Sequence, residues 1–168
     1  TENNVAKGVL TTDAEAKQPK AYYAPVVVCA SGGYGRLYTK TTNPEVATGD
    51  GAALAFRAGA ELMDLEFVQF HPTVLFHPQN NSFLISEAVR GEGALLRNIN
   101  GERFMPTYHD MAELAPRDIV SRAIFQEMQR TKAQHVYLDI THKDRDFLKR
   151  RFPTIFNKCL SYGIDMSK

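Results

Sequence analysis

Apolar positions along the chain change rhythm several times, and each change predicts an element. Residues 5–12 (VAKGVLTT) alternate weakly and predict a strand that pairs in a hairpin or meander. Residues 13–20 are polar and read as a flexible connection. Residues 25–30 (PVVVCA) form a continuous β-branched run, the pattern of a strand buried on both faces. Thr48-Gly49-Asp50-Gly51 then opens a helix that runs to about residue 58, with Thr48 or Asp50 placed to cap it and Gly59 to end it. Alanines at 52, 53, 55 and 58 keep this helix thin enough to lie close against a sheet or a ligand. Phe67, Val68 and Phe70 predict a short strand, which Pro72 ends because it has no N–H for a ladder. His71 is thereby placed at a strand end. Ser86 is a cap for a short helical turn whose positive end suits Glu87.

Further along, residues 94–97 and 103–105 predict two short strands around the turn Asn98–Gly101, since Asn-Gly is a strong hairpin signal. Residues 111–115 read as a loop. Pro116 suits the first position of a helix, and Ile119, Val120, Ala123, Ile124 and Met128 follow at helical spacing. Residues 136–140 predict a strand. Residues 144–151 and 154–162 predict two helices, broken at Pro153 and ended by Gly163. There are no repeats and no low-complexity tract. Strands and helices mix after residue 67 without βαβ regularity, which makes that part α+β, with a domain boundary near Glu66.

Composition narrows the function classes. The 168 residues are 43% hydrophobic and 23% charged, ordinary for a globular chain with a sizeable core. A net charge of +1 gives no electrostatic reason to expect nucleic acid or an anionic membrane as partner. No apolar run reaches the roughly 20 residues of a membrane-spanning helix. Cys29 and Cys159 are too far apart in pattern to suggest a disulfide framework or a metal site, so a reducing, cytoplasmic setting is expected.

The chemistry concentrates in residues 67–93, which carry His71, Glu87, Arg90 and Glu92 among apolar residues and glycines. Taken singly, a histidine at a strand end is as readily structural, and Glu-x-x-Arg as readily a surface pair. Arg117 stands in the first turn of its helix, where a cation is mildly disfavoured by the macrodipole. Either it pairs locally with Asp118, with Glu113 also at hand, or it serves an anionic ligand. Arg117 and Arg90 would grip a carboxylate as forks. His71 and Ser86 would each donate to it, and an ionised Glu87 would accept from an ammonium group. A substrate with two carboxylates and one amine uses all of these groups. Arg90 is assigned a structural role by preference. Earlier in the chain, Ser31-Gly32-Gly33-Tyr34-Gly35 follows the apolar run, where open α/β sheets admit ligands, or it is a plain turn. Asp50 at a helix start would oppose a phosphate and suits a hydroxyl or N–H donor, or it is a cap.

FVQFHPT followed by SEAVRGEG resembles the flavoprotein family of succinate dehydrogenase, fumarate reductase and L-aspartate oxidase. Further matches are TTNPEVATGDG at residues 41–51, GERFM at 101–105, ELAPRD at 113–118 and VYLDIT at 136–141. The resemblance covers most of the chain, in order. It implies FAD as cofactor. It implies a substrate-capping domain of the fumarate reductase flavoprotein type over residues 67–168, truncated at its carboxyl end. Part of an α/β, Rossmann-like FAD-binding domain would precede it over residues 1–66. It further implies that Arg117 is catalytic, that His71, Ser86 and Glu87 line a dicarboxylate site, and that Asp50, Gly32 and Gly33 belong to the flavin site. Serine replaces a common threonine at Ser86 and Ser31 and keeps the hydroxyl.

Within the family, SEAVRGEGALL, ELAPRD and RFPTIFNKCLSYGIDM resemble the aspartate-oxidising branch; the other branch would carry glycine where Ala88 and Ala94 stand. The implied reaction is FAD-dependent oxidation of L-aspartate to iminoaspartate, on the route to quinolinate and NAD, with oxygen or fumarate as acceptor. Quinolinate synthase is the implied partner. A succinate dehydrogenase or fumarate reductase flavoprotein, and a non-catalytic folded module, are the competing readings. The amino-terminal flavin fingerprint and the family's next histidine motif do not occur in these residues, so the chain is expected to be an internal piece, inactive alone.

Overall fold

A computed structural model describes residues 1–3, 5–13, 15, 17–79 and 82–168. Positions 14 and 16, in the expected polar connection, and 80 and 81, between His71 and Ser86, lie outside the described residues. The chain divides into two compact units, Thr1–Val68 and Gln69–Lys168. It mixes short helices with two separate two-stranded antiparallel sheets, an α+β arrangement.

In the first unit, β1 (Gly8–Thr12) pairs with β2 (Pro19–Tyr23), Gly8 opposite Tyr23 and Thr12 opposite Pro19. The polar connection expected over residues 13–20 ends at Pro19, where β2 begins, an element the apolar pattern does not predict. Pro19 is acceptable there because it is the first residue of its strand. The expected buried strand at residues 25–30 is not a strand. Among the described residues nothing pairs with it, and Val26 and Val28 are 74% and 83% exposed. Branching at Cβ favours an extended backbone, but a strand needs a ladder partner and a covering face as well. The described residues of this unit show the β1–β2 pair, the 3-10 turn Gly35–Leu37 and one α-helix, Asp50–Arg57.

Residues 31–35 lead into a 3-10 turn, Gly35–Leu37. Helix α1 (Asp50–Arg57) follows. Its N-cap is Gly49, in the left-handed region at φ 81°, with no side-chain cap; neither Thr48 nor Asp50 fills that role. Glycine takes this backbone conformation without a Cβ penalty. The Thr48 hydroxyl instead donates to Asp50 Oδ2 at 2.8 Å.

In the second unit, α2 (Glu87–Gly91) is capped as the sequence suggests: Ser86 Oγ accepts from the Ala88 N–H at 3.2 Å. The unit's sheet joins β3 (Leu95–Arg97) to β4 (Tyr137–Asp139), with Leu96 opposite Leu138. The expected local hairpin of residues 94–97 with 103–105 shrinks to one bridge, Arg97 to Arg103, and Met105 already starts a 3-10 turn. The turn itself forms: Asn98 Oδ1 accepts from Asn100 N and Glu102 N, and Gly101 sits at φ 82°. Residues 67–70 are not a strand either. Pairing begins later, where Leu75 N donates to Phe83 O and Ile85 N to Thr73 O.

Helix α3 (Arg117–Thr131) turns Val120 and Ala123 inward onto Leu96, Phe104, Met105 and Ala115. Helices α4 (Arg145–Arg151) and α5 (Pro153–Ser161) close a second cluster around Val89, Ala94, Ile140, Leu148 and Phe156. Leu138 packs against both clusters, and Ala94, Leu96, Leu138 and Ile140 share one face of the small sheet, so the two cores meet on that face. These two cores fix where α2 and the start of α3 point.

Candidate functional site

Three backbone segments of the second unit converge: residues 69–73, the start of α2 and the start of α3. The first is sewn to the second by Thr73, whose hydroxyl donates to Ile85 O at 2.9 Å and whose carbonyl accepts Ile85 N at 3.1 Å. Ser86 follows immediately. Its oxygen caps α2 as an acceptor, which leaves its hydroxyl proton available to a ligand.

Arg117 does not pair with its neighbour. Asp118 binds Arg122 at 2.5 Å, one helical turn on, and Glu113 binds Arg103. Arg117 Nε instead donates to Glu87 Oε2 at 2.7 Å, and Nη1 to Gln69 Oε1 at 2.9 Å. Its Nη2 has no protein partner among the described residues. The hydrogen bond from Arg117 holds the Glu87 carboxyl below its ordinary range, so Glu87 is ionised at neutral pH.

Arg90 lies behind this pair with its side chain fully buried. Nη1 donates to Glu113 O at 2.6 Å, and Nη2 lies 3.4 Å from Glu87 Oε1 without a hydrogen bond. Nε and Nη2 are buried without hydrogen-bond partners. Burial pulls this guanidinium below its ordinary pKa. His71 is held through Nδ1, 3.0 Å from Thr73 O and 3.2 Å from Thr73 N. Burial lowers its pKa, and the charges of Arg117 and Arg90 lower it further against the opposing bond to Thr73, so the ring is neutral at pH 7. The cluster therefore sums two guanidinium charges and one carboxylate, a surplus of one positive charge suited to an anion.

Glu113 anchors the approach to Arg117. Its side chain is 5% exposed, and it accepts two bonds from Arg103, at 3.0 and 2.6 Å, and one from Leu96 N at 3.1 Å. Burial raises its pKa, but the bonds from Arg103 and the backbone outweigh that and leave it lowered. The sequence reading named neither Gln69 nor this role of Glu113 and Arg103. No local pattern in the sequence pointed to Gln69, because its partner Arg117 lies 48 residues away.

The first unit holds the other candidates. Gly49 N donates to Gly33 O at 3.1 Å, which sets residues 31–35 against the start of α1. A Cβ at Gly51 would lie 1.6 Å from Ser31 Oγ, so only glycine fits there. Gly32 has φ 82°, and a Cβ at Gly32 or Gly33 would meet nothing within 4 Å. An open glycine loop beside a helix start without a side-chain cap offers backbone N–H groups to an electron-rich ligand edge. That donor set fits a flavin better than a metal, and no metal-binding group of His, Cys, Asp or Glu occurs among the described residues.

The chain belongs to the FAD binding domain family, whose model matches residues 1–168. Among curated proteins it is 50% identical over 167 residues to the L-aspartate oxidase of Acinetobacter baylyi, covering 99% of this chain and 31% of that protein. It is 57% identical over 148 residues to the L-aspartate oxidase of Streptomyces coelicolor, covering 86% of this chain and 26% of that one. Among solved structures, a quinol-fumarate reductase with menaquinol molecules superposes with a TM-score of 0.87 at 33% identity, over 99% of this chain and 32% of that one. The chain thus spans about a third of the length of the curated relatives it matches. Among the described residues no helix is long and apolar enough to cross a membrane.

Proposed function

We propose that these residues belong to an enzyme that oxidises L-aspartate to iminoaspartate with FAD. On this reading the first unit is part of the FAD-binding domain and the second is most of a substrate-capping domain of the fumarate reductase type. Gly32, Gly33 and Asp50 would hold the cofactor, the glycines through backbone N–H groups and Asp50 as an acceptor. Bound there, FAD would supply a two-electron acceptor for the α-carbon hydride, with oxygen or fumarate as the final acceptor.

The observation that carries the reading is the half-used guanidinium of Arg117. Glu87 takes Nε and Gln69 takes Nη1, so Nη2 and one positive charge remain for a substrate carboxylate. Arg117 binds that carboxylate and stabilises charge that develops beside it; a guanidinium stays protonated, so its role is electrostatic. His71, kept neutral, and the Ser86 hydroxyl complete the carboxylate contacts. Glu87, kept ionised, accepts from the substrate ammonium with the lone pairs that Arg117 leaves free. Identities of about 50% to L-aspartate oxidases, against 33% to the fumarate reductase, support the amine-oxidising branch over the dehydrogenase reading. The setting is cytoplasmic, and quinolinate synthase would consume the product.

The test is a flavin spectrum and an aspartate-dependent peroxide assay on the full-length protein. A yellow protein that forms peroxide with aspartate and not with succinate is expected. A colourless protein removes both flavoenzyme readings and leaves the folded module. A flavoprotein active only on succinate or fumarate moves the assignment to the other branch.

A further inference from the structure

We infer that Gln69 is a positioning residue for Arg117, and that its lack of charge sets the anion affinity of the site. The inference rests on the function proposed above. Gln69 Oε1 accepts Arg117 Nη1 at 2.9 Å, while Glu87 Oε2 accepts Nε at 2.7 Å. Two bonds to two different nitrogens of a rigid planar group fix both its plane and its rotation within the plane. The Gln69 amide must present its oxygen, because a guanidinium only donates.

The two holders differ in charge, and that difference has a function. Glu87 already removes one of the two positive charges of Arg117 and Arg90. A second carboxylate at position 69 would remove the other and leave the cluster neutral. An amide orients the guanidinium and leaves the surplus charge to the ligand. Packing does not explain the contact: Gln69 is exposed and makes no other hydrogen bond among the described residues. Its distance from Glu87 in sequence, on a separate segment, makes the two holders independent.

The two properties separate by substitution. Gln69→Leu keeps the charge and loses the orientation. Gln69→Glu keeps the orientation and loses the charge. Both are made in the full-length flavoprotein, with flavin content and melting temperature as folding checks. Turnover is measured with aspartate, and the Kd of succinate is read from the flavin absorbance. Gln69→Leu is expected to lower kcat about tenfold, the scale of one hydrogen bond, with the succinate Kd within about threefold of wild type. Gln69→Glu is expected to raise the succinate Kd about tenfold, less so at high salt, with kcat within about threefold. Should Gln69→Leu lose flavin, Gln69→Asn carries that arm, because it keeps the amide and shortens its reach by one methylene. Variants indistinguishable from wild type, or both losing kcat and affinity together, overturn the inference while the proposed function stands. A wild-type protein that neither binds succinate nor oxidises aspartate overturns both.

Discussion

Replacing Arg117 with lysine separates its charge from its shape. In the structure its guanidinium is held at Nε by Glu87 at 2.7 Å and at Nη1 by Gln69 at 2.9 Å. One lysine Nζ can follow Glu87 and keep the ion pair, but it cannot also reach Gln69 and present a third nitrogen. Stability should change little. The Arg117 and Glu87 side chains are 40% and 42% exposed, and pairs so open to solvent contribute at most about 1 kcal/mol, most of which lysine retains. The reaction should suffer more, because the lost element is alignment of a charge against the reacting carbon. We expect kcat for aspartate to fall about 100-fold, or roughly 2.7 kcal/mol in the barrier, and KM to rise by much less. Steady-state kinetics on the full-length Arg117→Lys protein, beside its flavin content and melting temperature, give the answer. A folded, flavin-loaded variant with near-normal kcat would show that Arg117 serves only to hold Glu87, and the assignment of the site would fail.

Glu87→Gln removes the carboxylate that lies between the Arg117 and Arg90 guanidiniums. Aspartate should bind about tenfold or more weakly, the cost of a charge-assisted hydrogen bond, while succinate binds as well or better because the cluster gains a positive charge; equal weakening of the two ligands would take Glu87 out of the amine contact. Glu113→Gln removes the charge that buried Glu113 presents to half-exposed Arg103 but keeps an acceptor for Leu96 N, so denaturant titration should show a loss of about 1–2 kcal/mol while the Leu96 amide stays protected from exchange; unchanged stability would refute the anchoring role. Asp139 is pulled down to about 2 by the Thr141 backbone N–H, the Thr141 hydroxyl and Arg97. A lowered carboxylate pKa stabilises the fold above the unfolded value of 3.8, and this stability is lost as pH falls from there towards 2. The gap of 3.8 − 2, about 1.8 units, sets a ceiling near 2.4 kcal/mol, and solvent screening of this half-buried group brings it to about 1–2. Melting curves between pH 5 and pH 2 should therefore fall more steeply for wild type than for Asp139→Asn; parallel curves would sink the argument.

The sequence by itself determined the features whose causes lie within one turn of chain. Ser86 caps α2 and Asp144 caps α4 because a short polar side chain can reach an N–H two or three residues on. Asn98 and Gly101 build their turn from the same local bonds. The apolar spacing of Val120 and Ala123 gave the inward face of α3 for the same reason. Tertiary structure decided what needs a distant partner. Residues 25–30 and 67–70 have the composition of strands, yet among the described residues no ladder forms on either. β3 found β4 rather than the neighbouring residues 103–105, because β4 brings Leu138 to lie opposite Leu96 between two cores. Arg117 shows the point most directly. Adjacency in sequence favoured Asp118, but successive helical side chains diverge, and Asp118 meets Arg122 one turn later. Arg117 was left to Glu87 and Gln69, 30 and 48 residues away, and only the packing of α2, α3 and residues 69–73 could bring them together.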